Sequence, residues 1–196
     1  MARLAVGGRS EAGFTLIDTI CVVAIFAILA GISVPAFQNL TEGYKLGQSL
    51  REVERELQSA RLKAVTSNRP LRLRFNCPAA GQYRIVELIG TPSVPAAEDG
   101  AANRCQESTY PTPAADNNPL TRPNHDGPMR RLPTGITFSA ANTLEFWPDG
   151  TVHQQNGATL PWPVIPAAGT SVTLAKGAVT KRIDVNGVGK ITLVRQ

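Results

Sequence analysis

Three cysteines and two histidines are all that 196 residues offer of the strongest metal ligands, and their spacing excludes the chemistry usually built on them. No C-x-x-C pair occurs, and His125 and His153 have no acid or cysteine at metal-ligand spacing, so neither a redox motif nor a zinc site is expected. There is no G-x-S-x-G nucleophile elbow and no H-E-x-x-H helix. Gly187-Val188-Gly189-Lys190 is not a phosphate loop, because Asp184 occupies the first glycine position and Ile191 replaces the serine or threonine. Aromatics are sparse, and Trp147 and Trp162 flank proline-rich turns, where they read as packing residues. The expectation is a protein with no cofactor, no metal and no catalytic site.

What the sequence does have is one long apolar run. Residues 14–34 contain a single charge, Asp18, and no proline. At 1.5 Å per residue they make a helix of roughly 31 Å, enough to cross a bilayer. A carboxylate within such a run costs ~2.5–3.5 kcal/mol at the membrane centre, so its presence near one end suggests a role that offsets the cost. The plain alternative is an acid tolerated near the headgroups. Arg3 and Arg9 precede the run, which places the N-terminus in the cytoplasm by the positive-inside rule. An ordinary secretory signal competes with this reading, but the run is longer than a usual h-region and no convincing A-x-A site closes it. A simple single-pass anchor also fits the hydropathy.

Beyond Pro35 an apolar stripe continues through Phe37, Leu40, Tyr44, Leu50, Val53, Leu57, Ala60 and Ala64, with Gly47 in the gap. Glu42, Lys45, Arg51, Glu52, Arg55, Glu56 and Lys63 occupy the other faces. An amphipathic helix is therefore expected over 35–68, ending at Asn68 before Pro70. The period then becomes two: Leu71, Leu73 and Phe75 alternate with Arg72 and Arg74, and 83–89 reads as a partner strand across an Ala79-Ala80-Gly81 turn. Residues 90–131 carry seven prolines without sustained periodicity and read as a long irregular insertion. Short strands are expected at 136–139, 143–147, 151–153, 171–175, 182–185 and 190–194, with turns at Pro148-Asp149-Gly150 and Asn186-Gly187.

Gly13-Phe14-Thr15-Leu16-Ile17, an acid, and an apolar run closed by Pro35 resemble the class III leader and N-terminal helix of type IV pilins and type II secretion pseudopilins. Asp18 lies four residues and Pro35 twenty-one after Phe14, the spacing of that family, although aspartate replaces its usual glutamate. The phrase Leu144-Glu145-Phe146-Trp147-Pro148-Asp149-Gly150 and the closing Arg182-Ile183-Asp184-Val185-Asn186-Gly187-Val188-Gly189-Lys190-Ile191 resemble the GspH/FimT group of minor pseudopilins. The resemblance implies an α+β, pilin-like fold. It divides the chain into a cleaved leader (1–13), a transmembrane helix (14–34), an amphipathic periplasmic helix (35–68) and a β-rich globular domain (69–196) with the insertion at 90–131. It further implies cutting by a prepilin peptidase between Gly13 and Phe14, N-methylation of Phe14, and a helix kink at Pro35. Asp18 would form an ion pair with the terminal ammonium of a neighbouring subunit in a hetero-oligomeric filament. The protein would be a single-pass subunit of a bacterial inner membrane, globular domain in the periplasm, serving a type II secretion pseudopilus or a type IV pilus tip or priming complex.

Two further expectations concern the globular part. Cys21 is an inert membrane thiol, whereas Cys77 and Cys105 lie in an oxidising compartment, where a bridge would add roughly 3–4 kcal/mol. Six bases and no acid lie between Leu57 and Val86, namely Arg61, Lys63, Arg69, Arg72, Arg74 and Arg84, and Lys181, Arg182, Lys190 and Arg195 cluster near the C-terminus. By resemblance to DNA-binding minor pilins of uptake machinery, these are candidate contacts to nucleic acid. A solvated basic face is the favoured reading.

Overall fold

A computed structural model describes Gly13, residues 15–114 and residues 123–194, with backbone alone over 34–40. Residues 1–12, which hold most of the expected leader, Phe14, residues 115–122 and residues 195–196, with Arg195 among them, lie outside the described residues, as do the side chains of Pro35, Phe37 and Leu40.

One helix, α1, spans Leu16–Ser67, and the chain divides into two compact units, Met1–Thr41 and Glu42–Gln196. Within the second unit the helix buries Leu46, Leu50, Val53, Leu57, Ala60 and Ala64, at alternating steps of four and three. Here the expected stripe is corrected at one point. Tyr44 is 70% exposed and Leu46 fully buried. Stepping back from Leu50 by one turn reaches Leu46, whereas Tyr44 is six residues away and two-thirds of the way round the helix. The helix ends as expected: Asn68 takes a positive φ of 53°, and the Arg69 N–H donates to the Ala64 carbonyl at 3.2 Å, the long bond of a Schellman cap.

Two antiparallel sheets follow. The first has the order β3-β2-β1-β5-β6 and the second β4-β7-β8-β9. Their strands are β1 Leu71–Phe75, β2 Gln82–Glu87, β3 Arg130–Arg131, β4 Thr137–Ala140, β5 Leu144–Phe146, β6 Val152–Gln154, β7 Thr170–Lys176, β8 Val179–Val185 and β9 Ile191–Leu193. Leu71, Leu73, Phe75, Tyr83, Ile85, Leu144 and Phe146 from the first sheet meet Val172, Leu174, Ile183 and Val185 from the second in one core with α1. Phe138 packs at 4.9 Å from Phe75 and edge-on at 5.5 Å to Tyr83. The β8–β9 turn fits the expected hairpin, with Gly189 at φ 75° and the Gly189 N–H donating to the Asn186 carbonyl at 2.9 Å.

Residues 90–131 depart most from expectation. They hold a short helix α2, Ala97–Gly100, a 3-10 turn at Ala102–Cys105, and β3, which pairs with β2 through Gln82↔Arg131 and Tyr83↔Arg130. Asp99, buried, fixes the start of the segment by accepting from the N–H groups of Ile89, Gly90 and Ala96 at 2.8, 3.0 and 2.8 Å. That contact also ends β2 at Glu87, short of the expected residue 89, because the Ile89 N–H is turned to a carboxylate. Cys77 and Cys105 form a disulfide across a sequence separation of 28. Together with Val86 they make a second, small apolar cluster. Replacing both cysteines by alanine is expected to lower the unfolding free energy by about 3–4 kcal/mol, read from the denaturant midpoint.

Candidate functional site

The N-terminal unit presents an apolar helix without cover. Leu16–Ser33 is long and apolar enough to cross a membrane, and its large side chains, among them Leu16, Ile17, Ile20, Val23, Phe26, Ile28 and Ile32, are all exposed. An all-round apolar helix of this length suits lipid or the interior of an assembly. Its hydroxyls turn inward on the backbone, Ser33 Oγ donating to the Leu29 carbonyl at 2.7 Å and Thr19 Oγ1 to that of Thr15 at 3.4 Å. Such bonds keep polar groups satisfied where no water is available.

Asp18 is the one charge of this surface, and local chemistry holds it. Thr15 stands at the N-cap, its N–H and Oγ1–H both donating to Asp18 Oδ2 at 3.1 and 2.7 Å, while the Asp18 N–H reaches Thr15 Oγ1 at 3.3 Å. This is a reciprocal capping box built with aspartate. The carboxylate therefore points toward the start of the helix, where the orphan N–H groups and the macrodipole favour a negative charge. Gly13 is exposed two residues before Thr15.

The basic run between Leu57 and Val86 is divided: Arg61 and Arg69 are exposed, as a solvated face requires, but Arg72 and Arg84 are buried and Arg74 is half-buried. Arg72 is buried with its Nε 2.7 Å from Glu145 Oε2, and its guanidinium lies 4.0 Å above the Trp162 ring. Glu145 also accepts from Trp147 Nε1–H at 2.6 Å. Trp147 stacks on His153 at 3.9 Å, and the His153 Nδ1 meets the Trp162 carbonyl at 2.6 Å, closing a ring of contacts. Beside it, Thr151 donates to Asp149 by its hydroxyl and N–H, which holds the Asp149 carboxyl below the usual range. Both tryptophans are thus packing residues.

Arg84 is fully buried and donates to the carbonyls of Gly127, Tyr110 and Cys105 and to Thr112 Oγ1. Arg104, also fully buried, is ion-paired with Asp126 and donates to the Glu87 carbonyl at 2.7 Å. Arg74 donates to the carbonyls of Asp99, Gly100 and Ala101. Arg74 and Arg84 are direct cross-strand neighbours, a pairing that like charges disfavour unless each finds acceptors. The 90–131 segment supplies them.

Of the C-terminal bases, Lys181 is on the core-facing side of β8, its Nζ 3.4 Å from where a Cβ on Gly47 would stand. Arg182, its neighbour in the strand, points to the opposite face and lies 3.5 Å from Asp184. Lys190 is exposed in the β8–β9 turn. The three do not converge on one surface. Among the described residues no group of three or more His, Cys, Asp or Glu is arranged to hold a metal ion.

The family model "Type II transport protein GspH" matches residues 49–189, well over half of the chain. This chain belongs to the GspH family, and its class is that of the minor pseudopilin and pilin-like proteins. Among solved structures it is similar to the type IV minor pilin FimU of Pseudomonas aeruginosa (strain PAO1), at 17% identity over 76% of this chain and 93% of that one, with a TM-score of 0.42. It is also similar to the minor pseudopilin EpsH from the Type 2 Secretion System of Vibrio cholerae, at 15% identity over 76% of this chain and 96% of that one, with a TM-score of 0.41. Among curated proteins no relative matches.

Glu145→Gln should destabilise the globular unit by about 3–5 kcal/mol, because it leaves the buried Arg72 cation without its counter-charge. The double change Arg72→Met with Glu145→Leu should recover most of that loss in a urea titration. An equal loss in the double variant would rule out charge compensation as the reason.

Proposed function

We propose that this chain is a structural subunit of a membrane-rooted filament, a type II secretion pseudopilus or the tip or priming complex of a type IV pilus. The observation that carries this reading is the uncovered apolar helix of Leu16–Ser33 with one acid in its first turn, joined in sequence to a GspH-family domain. The helix anchors the subunit in the bacterial inner membrane with its N-terminus inside and its globular part in the periplasm. A prepilin peptidase cuts between Gly13 and Phe14, and Phe14 is N-methylated. Neighbouring subunits bury the apolar helix, and Asp18 pairs with the terminal ammonium of an adjacent Phe14. In a low-dielectric bundle such a pair is strong, since either charge alone would be heavily penalised. Pro35 supplies a kink in the helix as it leaves the membrane.

The capping box supports this role for Asp18. The carboxylate is aimed along the helix toward its N-terminal end before any partner arrives, which reduces the ordering needed on assembly. A DNA-binding minor pilin of an uptake machinery is the alternative, resting on Lys181, Arg182, Lys190 and Arg195. The divergence of the first three favours the structural role. A mobility-shift assay with duplex DNA at low and high salt separates the two, because binding through phosphates would be present at low salt and lost at high salt.

Intact mass of the chain extracted from membranes should correspond to a start at Phe14 bearing one added methyl group. A retained Met1 would remove the peptidase step. Asp18→Ala should leave the membrane-bound amount unchanged while incorporation into sheared filaments or tip complexes drops below detection, as loss of a buried pair costs about 3–5 kcal/mol. Unchanged incorporation would refute the ion pair. Secretion lost with piliation intact would assign the subunit to a secretion pseudopilus, and the reverse to a pilus.

A further inference from the structure

We propose that the free edge of β9, with the groove between it and α1, docks an extended segment of a partner subunit in which apolar and acidic residues alternate. This contact goes beyond assembly through the N-terminal helix and depends neither on Asp18 nor on cutting at Gly13.

β9 is the last strand of the second sheet. The Asn186 N–H donates to the Lys190 carbonyl at 3.1 Å and the Val194 N–H to the Arg182 carbonyl at 3.2 Å. In an antiparallel ladder, bonded pairs recur at every second residue. The backbone groups of Lys190, Thr192 and Val194 therefore turn toward β8, and those of Ile191 and Leu193 point away from the sheet. An unpaired row of this kind is a template for another strand.

The groove beside that edge fits what an added strand would bring. It encloses about 560 Å³ and is lined by Arg61, Leu62, Val65, Lys190 and Ile191, together with Gln58 and Gly189. Leu62 and Val65 are 66% and 46% exposed, although they lie on the half of α1 that otherwise shows charged side chains to water. A strand laid ~4.8 Å from β9 sets every second side chain over this apolar floor. The remaining positions come within reach of Lys190. Among the described residues no acid lines the groove. Arg61 is held in place by bonds to the carbonyls of Val188 and Gly150 at 3.2 and 3.5 Å, while the Lys190 ammonium has no partner among the described residues. The electrostatic complement is an acidic segment.

The test uses the full chain in maltoside micelles and a fluorescent octapeptide of alternating valine and glutamate, read by anisotropy. This peptide should bind, while its lysine counterpart and a version N-methylated at alternate amides should bind about tenfold more weakly or not at all. Lys190→Glu should reverse the preference between the glutamate and lysine peptides. Leu62→Asp, at an exposed helical position, should abolish binding with an unchanged melting temperature. Equal binding of both peptides, or binding indifferent to both substitutions, would overturn the proposal. So would an oligothymidylate that binds in a Lys190-dependent way while the glutamate peptide does not. Failure here leaves the membrane-rooted subunit role standing, because the intact-mass and Asp18 measurements do not involve β9.

Discussion

A guanidinium taken out of water needs acceptors for its N–H groups, and meeting most of that need for Arg72, Arg74 and Arg84 shapes one whole side of the globular unit. The first sheet shows α1 an ordinary apolar face. Its other face carries Arg72, Arg74 and Arg84. Left in water these would need nothing further, but β1 and β2 lie inside the sheet, and their second face is covered. The cover has to be polar. Over Arg74 and Arg84 it consists largely of backbone carbonyls with the acid Asp126, while Arg72 is met within the sheet by Glu145 of β5 and from above by the Trp162 ring. The disulfide between Cys77 and Cys105 fastens that cover to the end of β1.

This economy explains how much could be read in advance. α1, its Asn68 terminus, the β1–β2 hairpin, the strand candidates of the C-terminal half and the cysteine pair all follow from local signals, namely periodicity, turn residues and spacing. Each of those depends on a few neighbouring residues, so sequence carries it directly. The phase of the stripe near Tyr44 was misleading, because two glycines interrupt it and Leu46 is recovered only by stepping back from Leu50.

The bases were legible as a composition and illegible as a location. Alternation along β1 correctly puts Arg72 and Arg74 on the face opposite Leu71 and Leu73. Nothing local says whether that face meets water or protein, since this depends on residues from Asp99, 25 positions beyond Arg74, to Trp162, far along the chain from Arg72. The acids are less conspicuous still: Glu145 sits just ahead of the Pro148-Asp149-Gly150 turn, and Asp126 in a segment without periodicity. A signal was nonetheless present. Central strands flanked by a proline-rich stretch with its own cysteine are candidates for cover on both sides. By contrast, the N-terminal helix needs no tertiary information, because apart from Asp18 in its first turn its large side chains are apolar all round.

The polar cover has an evolutionary corollary. Residues 90–131 look like expendable surface, the kind of loop that lineages lengthen and trim freely. In this chain, excision would strip Arg74 and Arg84 of most of their acceptors at once, and would remove Arg104 together with its partner Asp126. Shortening would have to proceed together with conversion of the β1 and β2 arginines to neutral residues. Loop length and strand charge are therefore expected to change together, and a relative with a curtailed segment should be recognisable by what has replaced those arginines.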